Sequence, residues 1–228
     1  IDLFESQYPV PRGITYNSYL VEGEKVAIID TVDGHMADEW KANLAEGLAG
    51  RTPEYLVVEH MEPDHSSVIA DIMAEYPGLS VVGSAKTMQM LTQFFEDIKL
   101  DGRTIAVKEG DTLDLGGRTL RFLMAPMVHW PEVIAVYDVE DKTLFSADAF
   151  GTFGQFDDPS ETDGWKDEAR RYYINICGKY GPQVQSLLKK GANLDIKRIC
   201  PLHGPVLTDI AGHVALYDTW SSYRPENP

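Results

Sequence analysis

The sequence EHMEPDH, Glu59–His65, places four strong metal-ligand side chains within six residues. These side chains are His60, Glu62, Asp64 and His65. Pro63 disfavours a helix, so we expect an extended segment in which residues two apart point the same way. Only six of the 228 residues are His, and two of them lie in this stretch. The pattern favours a metal site over a solvated polar loop.

Three further potential ligands each follow an apolar run that reads as a buried strand. His129 follows 122–128, Asp148 follows 144–147, and His203 follows 199–202. Any one of them alone would be typical of a loop residue or a helix cap. Their common position past a strand predicts that they meet the 60–65 segment at one sheet edge.

Strand-rich and helix-rich blocks occur twice in similar order along the chain. This order predicts an α/β fold of two mixed sheets packed face to face, with helices outside. We expect one domain over residues 1–228, a long helical region roughly from Glu168 to Lys190, and a polar, proline-rich tail at 221–228.

The composition excludes several classes of partner. The net charge of −16 argues against nucleic-acid binding and against an anionic membrane surface. No apolar run is long enough to span a membrane, and no segment reads as a signal peptide. Two cysteines cannot form a disulfide framework. We therefore expect a cytoplasmic protein.

The spacing of the seven residues resembles that of a known family. His129 follows His65 by 64 residues (129 − 65), Asp148 follows His129 by 19, and His203 follows Asp148 by 55. Together with His-x-Glu-x-Asp-His, this spacing resembles the flavodiiron version of the metallo-β-lactamase fold, an αββα sandwich. Short sequence motifs in the chain also resemble those of this family: Tyr16-Asn17-Ser18-Tyr19, Asp30-Thr31-Val32-Asp33, His129-Trp130-Pro131, Asp148-Ala149-Phe150-Gly151 and His203-Gly204-Pro205.

The resemblance implies two iron ions and an oxidoreductase that acts on O2 or NO. It assigns His60, Glu62 and His129 to the first iron, and Asp64, His65 and His203 to the second. Asp148 would bridge the irons together with an oxo or hydroxo group. It also implies a homodimer. For orienting the imidazoles we expect Glu59 and Asp33.

Glu62 stands where hydrolytic members of the fold carry His. The resulting three carboxylates and four imidazoles suit iron, which accepts more ligands and harder donors than zinc. The alternative is a dizinc hydrolase, because such a site can also bind zinc, and a purified sample can contain it.

The chain stops at Pro228, where flavodiiron proteins continue into a flavodoxin-like domain that holds FMN. We therefore expect no FMN site and a closer resemblance to oxygen-binding diiron proteins. Such a protein would sense O2, or reduce O2 or NO with an external rubredoxin- or flavodoxin-like donor, or contact a signalling partner. An excised diiron domain would look the same.

Several other residues near the expected ligands have two interpretations. Trp130, Phe150, Phe153 and Phe156 line a dry O2 pocket or are ordinary core aromatics. Cys200 has a redox role or, as is more typical, is a small buried apolar residue.

Overall fold

The computed structural model describes residues 3–156 and 164–226. Five strands form the first sheet in the order β3-β4-β5-β6-β7. They are β3 (Tyr19–Glu22), β4 (Val26–Ile29), β5 (Tyr55–Val57), β6 (Ser80–Ser84) and β7 (Thr104–Val107). β3 and β4 are antiparallel, and the other neighbours are parallel. A short hairpin, β1 (Leu3–Phe4) and β2 (Tyr8–Pro9), precedes this sheet.

The second sheet has the order β12-β11-β10-β9-β8. Its strands are β8 (Thr112–Asp114), β9 (Thr119–Met124), β10 (Ile134–Asp138), β11 (Thr143–Phe145) and β12 (Arg198–Cys200). Only β11 and β12 are parallel neighbours in this sheet. The turn at Gly116-Gly117 joins β8 to β9, and both glycines have a positive φ that favours glycine in a tight turn.

Alternating side chains of each strand pack on opposite faces of the first sheet. In β4, Ala27 and Ile29 point into an apolar layer shared with Phe122 and Val136 of the second sheet. Val26 and Ile28 point the other way, onto the first helical layer. Because side chains alternate along a strand, each short strand packs against the other sheet with one face and against the helices with the other.

Helices cover the outer faces of both sheets. Three of them cover the first sheet: α1 (Ala37–Leu48), α3 (Ile69–Glu75) and α4 (Ala85–Phe94). Three others cover the second: α5 (Trp165–Ile176), α6 (Gly181–Gly191) and α7 (Ile210–Ser221). The predicted αββα sandwich is therefore confirmed. Within the described residues, no helix is both long and apolar enough to cross a membrane.

One local prediction was wrong and a second was too coarse, and both concern proline. Pro63 begins a short helix, α2 (Pro63–Ser66), because the first helical turn needs no N–H from that position. The long helical region predicted from Glu168 to Lys190 is two helices, separated near Gly178. Pro182 stands in the first turn of α6, where a proline is tolerated.

The described part of the predicted tail, 222–226, folds back onto the helices. Glu226 accepts a hydrogen bond from Trp220 Nε1 at 2.7 Å and pairs with Lys166 at 2.6 Å and with Arg170. Residues 227 and 228 lie outside the described residues.

Candidate metal centre

The loop after β5 carries the first four candidate ligands. Hydrogen bonds to Asp30 fix its backbone. The Asp30 carboxylate is buried and accepts hydrogen bonds from the backbone N–H of Glu59 (3.0 Å) and of His60 (3.3 Å). These two hydrogen bonds fix the orientation of the backbone at the start of the loop. The segment turns into α2 after Glu62, so Asp64 and His65 reach the site from a helix and not from an extended strand.

The structure brings all seven predicted side chains together in two groups. The ligand atoms within each group lie within 4.8 Å of one another. The first group is His60, Glu62, His129 and Asp148, and the second is Asp64, His65 and His203.

Glu62 and Asp148 hold the first group together. His129 Nε2 lies 3.0 Å from Glu62 Oε2 and 3.0 Å from Asp148 Oδ2. His60 Nε2 lies 3.1 Å from Glu62 Oε2. Four imidazole or carboxylate atoms, from the three loops that carry His60 and Glu62, His129, and Asp148, thus converge on one point.

Asp64 is the centre of the second group, and Asp148 joins it to the first. Asp64 Oδ2 lies 3.3 Å from His65 Nε2 and 3.2 Å from His203 Nε2. The other oxygen of Asp148, Oδ1, lies 3.1 Å from His65 Nε2. One carboxylate therefore faces both groups, as expected for a bridging ligand.

The donor atoms fit a pair of metal ions. Among the described residues, five ligand atoms are buried without a hydrogen bond of acceptable geometry: both oxygens of Asp64, Oδ1 of Asp148, and Nε2 of His65 and His203. Leaving so many buried polar atoms unpaired is costly. Metal ions in the two groups would pair them, and nitrogen and oxygen donors in this ratio suit ions that accept five or six ligands.

The charges of the site favour cations. Burial alone would raise the pKa of Asp148, but the neighbouring imidazoles of His65 and His129 hold it well below its usual range. Burial opposes protonation of His129, yet its hydrogen bonds with Asp148 and Glu62 raise the pKa of His129 to about 9. Bound metal ions would replace such protons.

The residues that orient the imidazoles are Glu132 and Thr15, which the sequence analysis missed. Glu132 Oε1 lies 2.8 Å from His60 Nδ1 and accepts a hydrogen bond from Met61 N at 2.9 Å. His203 Nδ1 lies 2.6 Å from the backbone oxygen of Thr15. Both contacts fix a ring so that its Nε2 faces the site.

The two predicted orienting residues were wrong. Asp33 pairs with exposed His35 at 2.7 Å. Buried Glu59 accepts a hydrogen bond from Ala147 N at 3.1 Å. Glu59 thereby ties the His60 loop of the first sheet to the Asp148 loop of the second, a structural link between the two groups.

Substitution Glu132→Gln is expected to weaken metal binding at the first group roughly 10- to 100-fold, the usual cost of losing an outer carboxylate. The amide keeps the shape but removes the charge that strengthens His60 as a ligand. Competition with a ferrous chelator measures the affinity. Glu96→Gln is the matched control because Glu96 is exposed. Equal affinities in the two variants would contradict this role.

Glu5 and Tyr172 approach the site from elements that carry no ligand. The Glu5 carboxyl hydrogen-bonds Glu62, and burial followed by that contact raises the pKa of Glu5 to about 8. The ring of Tyr172 lies 5.6 Å from that of His203, and its buried hydroxyl has no hydrogen-bond partner among the described residues. A Cβ on Gly151 would lie 2.7 Å from the Tyr172 ring, which explains the glycine after Asp148-Ala149-Phe150.

Of the aromatic residues expected near the ligands, Trp130 and Phe153 pack beside the site, and Phe150 packs against a helix. Trp130 packs edge-on against His60, with ring centres 5.3 Å apart. Phe153 contacts Tyr172 at 5.1 Å, whereas Phe150 stacks on Tyr217 at 4.1 Å. Cys200 lies in the apolar layer between the sheets, and burial raises its pKa to about 12, which supports the apolar interpretation.

Known proteins share this fold and much of this sequence. Residues 14–204 match the family described as ODP family beta lactamase. The chain belongs to this family. The flavodiiron protein from Giardia intestinalis superposes on the chain with a TM-score of 0.91 at 29% identity, covering 98% of this chain and 55% of that one. The flavodiiron resemblance expected from the sequence is thereby confirmed.

Two further relatives have informative names. Rubredoxin oxygen:oxidoreductase from Desulfovibrio gigas has a TM-score of 0.87 and 29% identity over 98% of this chain and 58% of that one. The anaerobic nitric oxide reductase flavorubredoxin of Aeromonas hydrophila is 32% identical over 99% of this chain and 47% of its own length. The chain spans about half the length, or less, of the curated relatives it matches.

Proposed function

We propose that this ODP-family domain holds two iron ions and uses them to bind and reduce O2 or NO, with electrons from a separate donor. His60, Glu62 and His129 would hold one iron, Asp64, His65 and His203 the other, and Asp148 both. The observation that carries the proposal is the convergence of these side chains into two groups that share Asp148.

An iron pair in its reduced state would supply two electrons and positions at which a diatomic gas binds. The surrounding residues would do the rest. Glu132 and Thr15 orient imidazoles, and Trp130 excludes water on the His60 side. The Glu5 carboxyl lies beside Glu62, and burial followed by that contact raises the pKa of Glu5 to about 8 in the metal-free chain. Reduction of either gas to water or nitrous oxide consumes protons, and Glu5 is a carboxyl group beside the ligands that carries no ligand role.

The names of the relatives support this chemistry. One is called an oxygen:oxidoreductase and another a nitric oxide reductase, and both names include rubredoxin. We therefore take a rubredoxin- or flavodoxin-like protein as the donor. An O2 sensor would instead bind a signalling partner differently in its reduced and oxidised forms. The homodimer, the cytoplasmic location, the single-domain span and the lack of an FMN site stay predictions.

Anaerobic loading with ferrous iron, followed by O2 or NO, tests the proposal. We expect two irons per chain, consumption of the gas and oxidation of the iron, with continued turnover when reduced rubredoxin is present. Zinc-loaded protein is the control and should be inert. A reduced, iron-loaded protein that consumes neither gas would contradict the proposal, and ester or phosphodiester cleavage by the zinc form would favour the hydrolase.

Glu62→His is expected to shift the site towards zinc. It replaces a hard, negatively charged donor by a neutral nitrogen, so the iron-to-zinc ratio after loading from an equimolar mixture should fall roughly tenfold. Metal analysis measures the ratio, with Glu96→His as the control at an exposed position. An unchanged ratio would contradict the argument that Glu62 selects iron.

A further inference from the structure

An apolar cavity of about 360 Å³ lies between α6, α7 and the outer face of the second sheet. Leu144 of β11 and Ile199 of β12 form its floor, and Leu187 and Val214 are among its helical walls. Asp195 is the one charged residue among those that line it. Apolar cavities bind apolar gases such as xenon.

The floor and one wall of the cavity are adjacent in sequence to the metal centre. Its floor strands, β11 and β12, lead directly into the loops that carry Asp148 and His203. Phe150, two residues after Asp148, also lines the cavity. Ala147 and Ala149, which flank Asp148, are fully buried.

Apolar packing is continuous between the cavity and the ligands. Leu144, Ile199 and Phe150 belong to the same apolar cluster as Phe153 and Tyr172. The ring of Tyr172 contacts His203 at 5.6 Å. The side chains that lie between the cavity and the second ligand group are therefore apolar or aromatic.

The outer end of the cavity opens at the turn after α6 and at the start of α7. Ala192 and Ala211 are exposed there, and Leu194 and Ile210 are half-buried. At the metal centre itself, the carboxyl groups of Glu5, Glu62 and Asp64 favour water over an apolar solute.

We propose that this cavity is the entry and storage site for the gaseous substrate, a small apolar diatomic such as O2 or NO. Its lining is apolar, its mouth is open, and its inner wall lies two residues from the shared ligand. The identity of the gas rests on the proposed function, whereas the cavity's affinity for an apolar gas does not.

Xenon tests the cavity without using the metal. Crystals of the metal-free protein under xenon pressure should show xenon between α6 and α7. Leu194→Trp and, separately, Ala211→Trp should displace it by filling the mouth. Ala211 is exposed, so its replacement leaves the core intact. Ile105→Trp on β7 is the control, because it adds the same side chain to the other sheet.

Stopped-flow mixing of the reduced, iron-loaded protein with O2 or NO tests the route. In both mouth variants the second-order rate constant should fall roughly tenfold relative to Ile105→Trp, while iron content and the rate of oxidation by ferricyanide, a charged oxidant, stay the same. Absence of xenon in the wild-type cavity would overturn the inference, and so would unchanged gas rates after xenon is displaced. Wild-type iron protein that reacts with neither gas would contradict the proposed function instead, whatever xenon shows.

Discussion

Asp148→Asn is expected to lose at least one of the two metal ions and nearly all turnover of O2 or NO. Asp148 is 2% exposed, and its two oxygens lie 3.0 Å from His129 Nε2 and 3.1 Å from His65 Nε2. It is the residue through which the two groups meet. The amide keeps the size of the side chain but removes the charge and one of the two equivalent oxygens.

The size of this effect follows from burial. Removing one partner from a buried set of charges costs about 3–5 kcal/mol, which is on the order of a hundredfold or more in metal affinity. We expect the metal content to fall from two ions per chain to one or fewer. Gas consumption should fall at least as strongly, because reduction needs both ions.

Metal analysis by mass spectrometry and an oxygen electrode measure the two effects. Asp71→Asn is the matched control, since Asp71 is exposed and pairs with Lys41 in α1. Two irons per chain in Asp148→Asn, with activity near that of the control, would show that Asp148 does not bridge the groups.

The convergence of the seven candidate ligands was predictable because each of them has a local signal. His129, Asp148 and His203 each follow a buried apolar run, and parallel or antiparallel strands that end at one sheet edge bring such positions together. The layer order was predictable for a similar reason, since alternating strand and helix blocks leave few ways to bury both faces of a sheet.

The supporting contacts were not predictable, because they join residues far apart in sequence. Glu132 meets His60 across 72 residues, and Thr15 meets His203 across 188. Their side chains have no periodicity that marks them. The one signal for Glu132 in the sequence is its position directly after the motif His129-Trp130-Pro131, which contains a candidate ligand.

The differences from prediction at Pro63 and Pro182 have a common physical cause. Proline is disfavoured in the interior of a helix but tolerated in its first turn. A proline in the sequence therefore indicates a helix boundary, but a helix can either end before it or begin at it. At Pro63 the helix follows directly and carries Asp64 and His65 into the site. At Pro182 the boundary divides the predicted helical region into two helices.

Removal of the metal ions is expected to lower the melting temperature by tens of degrees. Besides half-buried Glu62, the structure buries five carboxyl groups in or next to the two ligand groups: Asp30, Glu59, Asp64, Glu132 and Asp148. Burial raises the pKa of Asp30 and of Glu59 well above the usual range. The neighbouring imidazoles hold the pKa of Asp148 well below its usual range, against the effect of burial. Cations would offset the charge of these clustered carboxyl groups.

The magnitude follows from linkage, because metal ions that bind only the folded chain stabilise it by mass action. At a free metal concentration of a thousand times the dissociation constant, each site contributes about 4 kcal/mol, and the two sites together about 8 kcal/mol. At about 2–4 °C per kcal/mol for a domain of this length, chelation should lower the melting temperature by roughly 15–30 °C.

Differential scanning calorimetry before and after dialysis against a chelator measures the shift. Reloading with ferrous iron should restore the melting temperature, and zinc should restore it too, since this donor set binds both ions. Magnesium is the control ion, because it prefers all-oxygen sites and should not replace iron at four imidazoles. In Asp148→Asn the shift on chelation should be about half or less, because fewer ions are lost. A melting temperature unchanged by chelation in the wild type would mean that buried protons alone neutralise the carboxylates, and the two groups would then not be a metal centre.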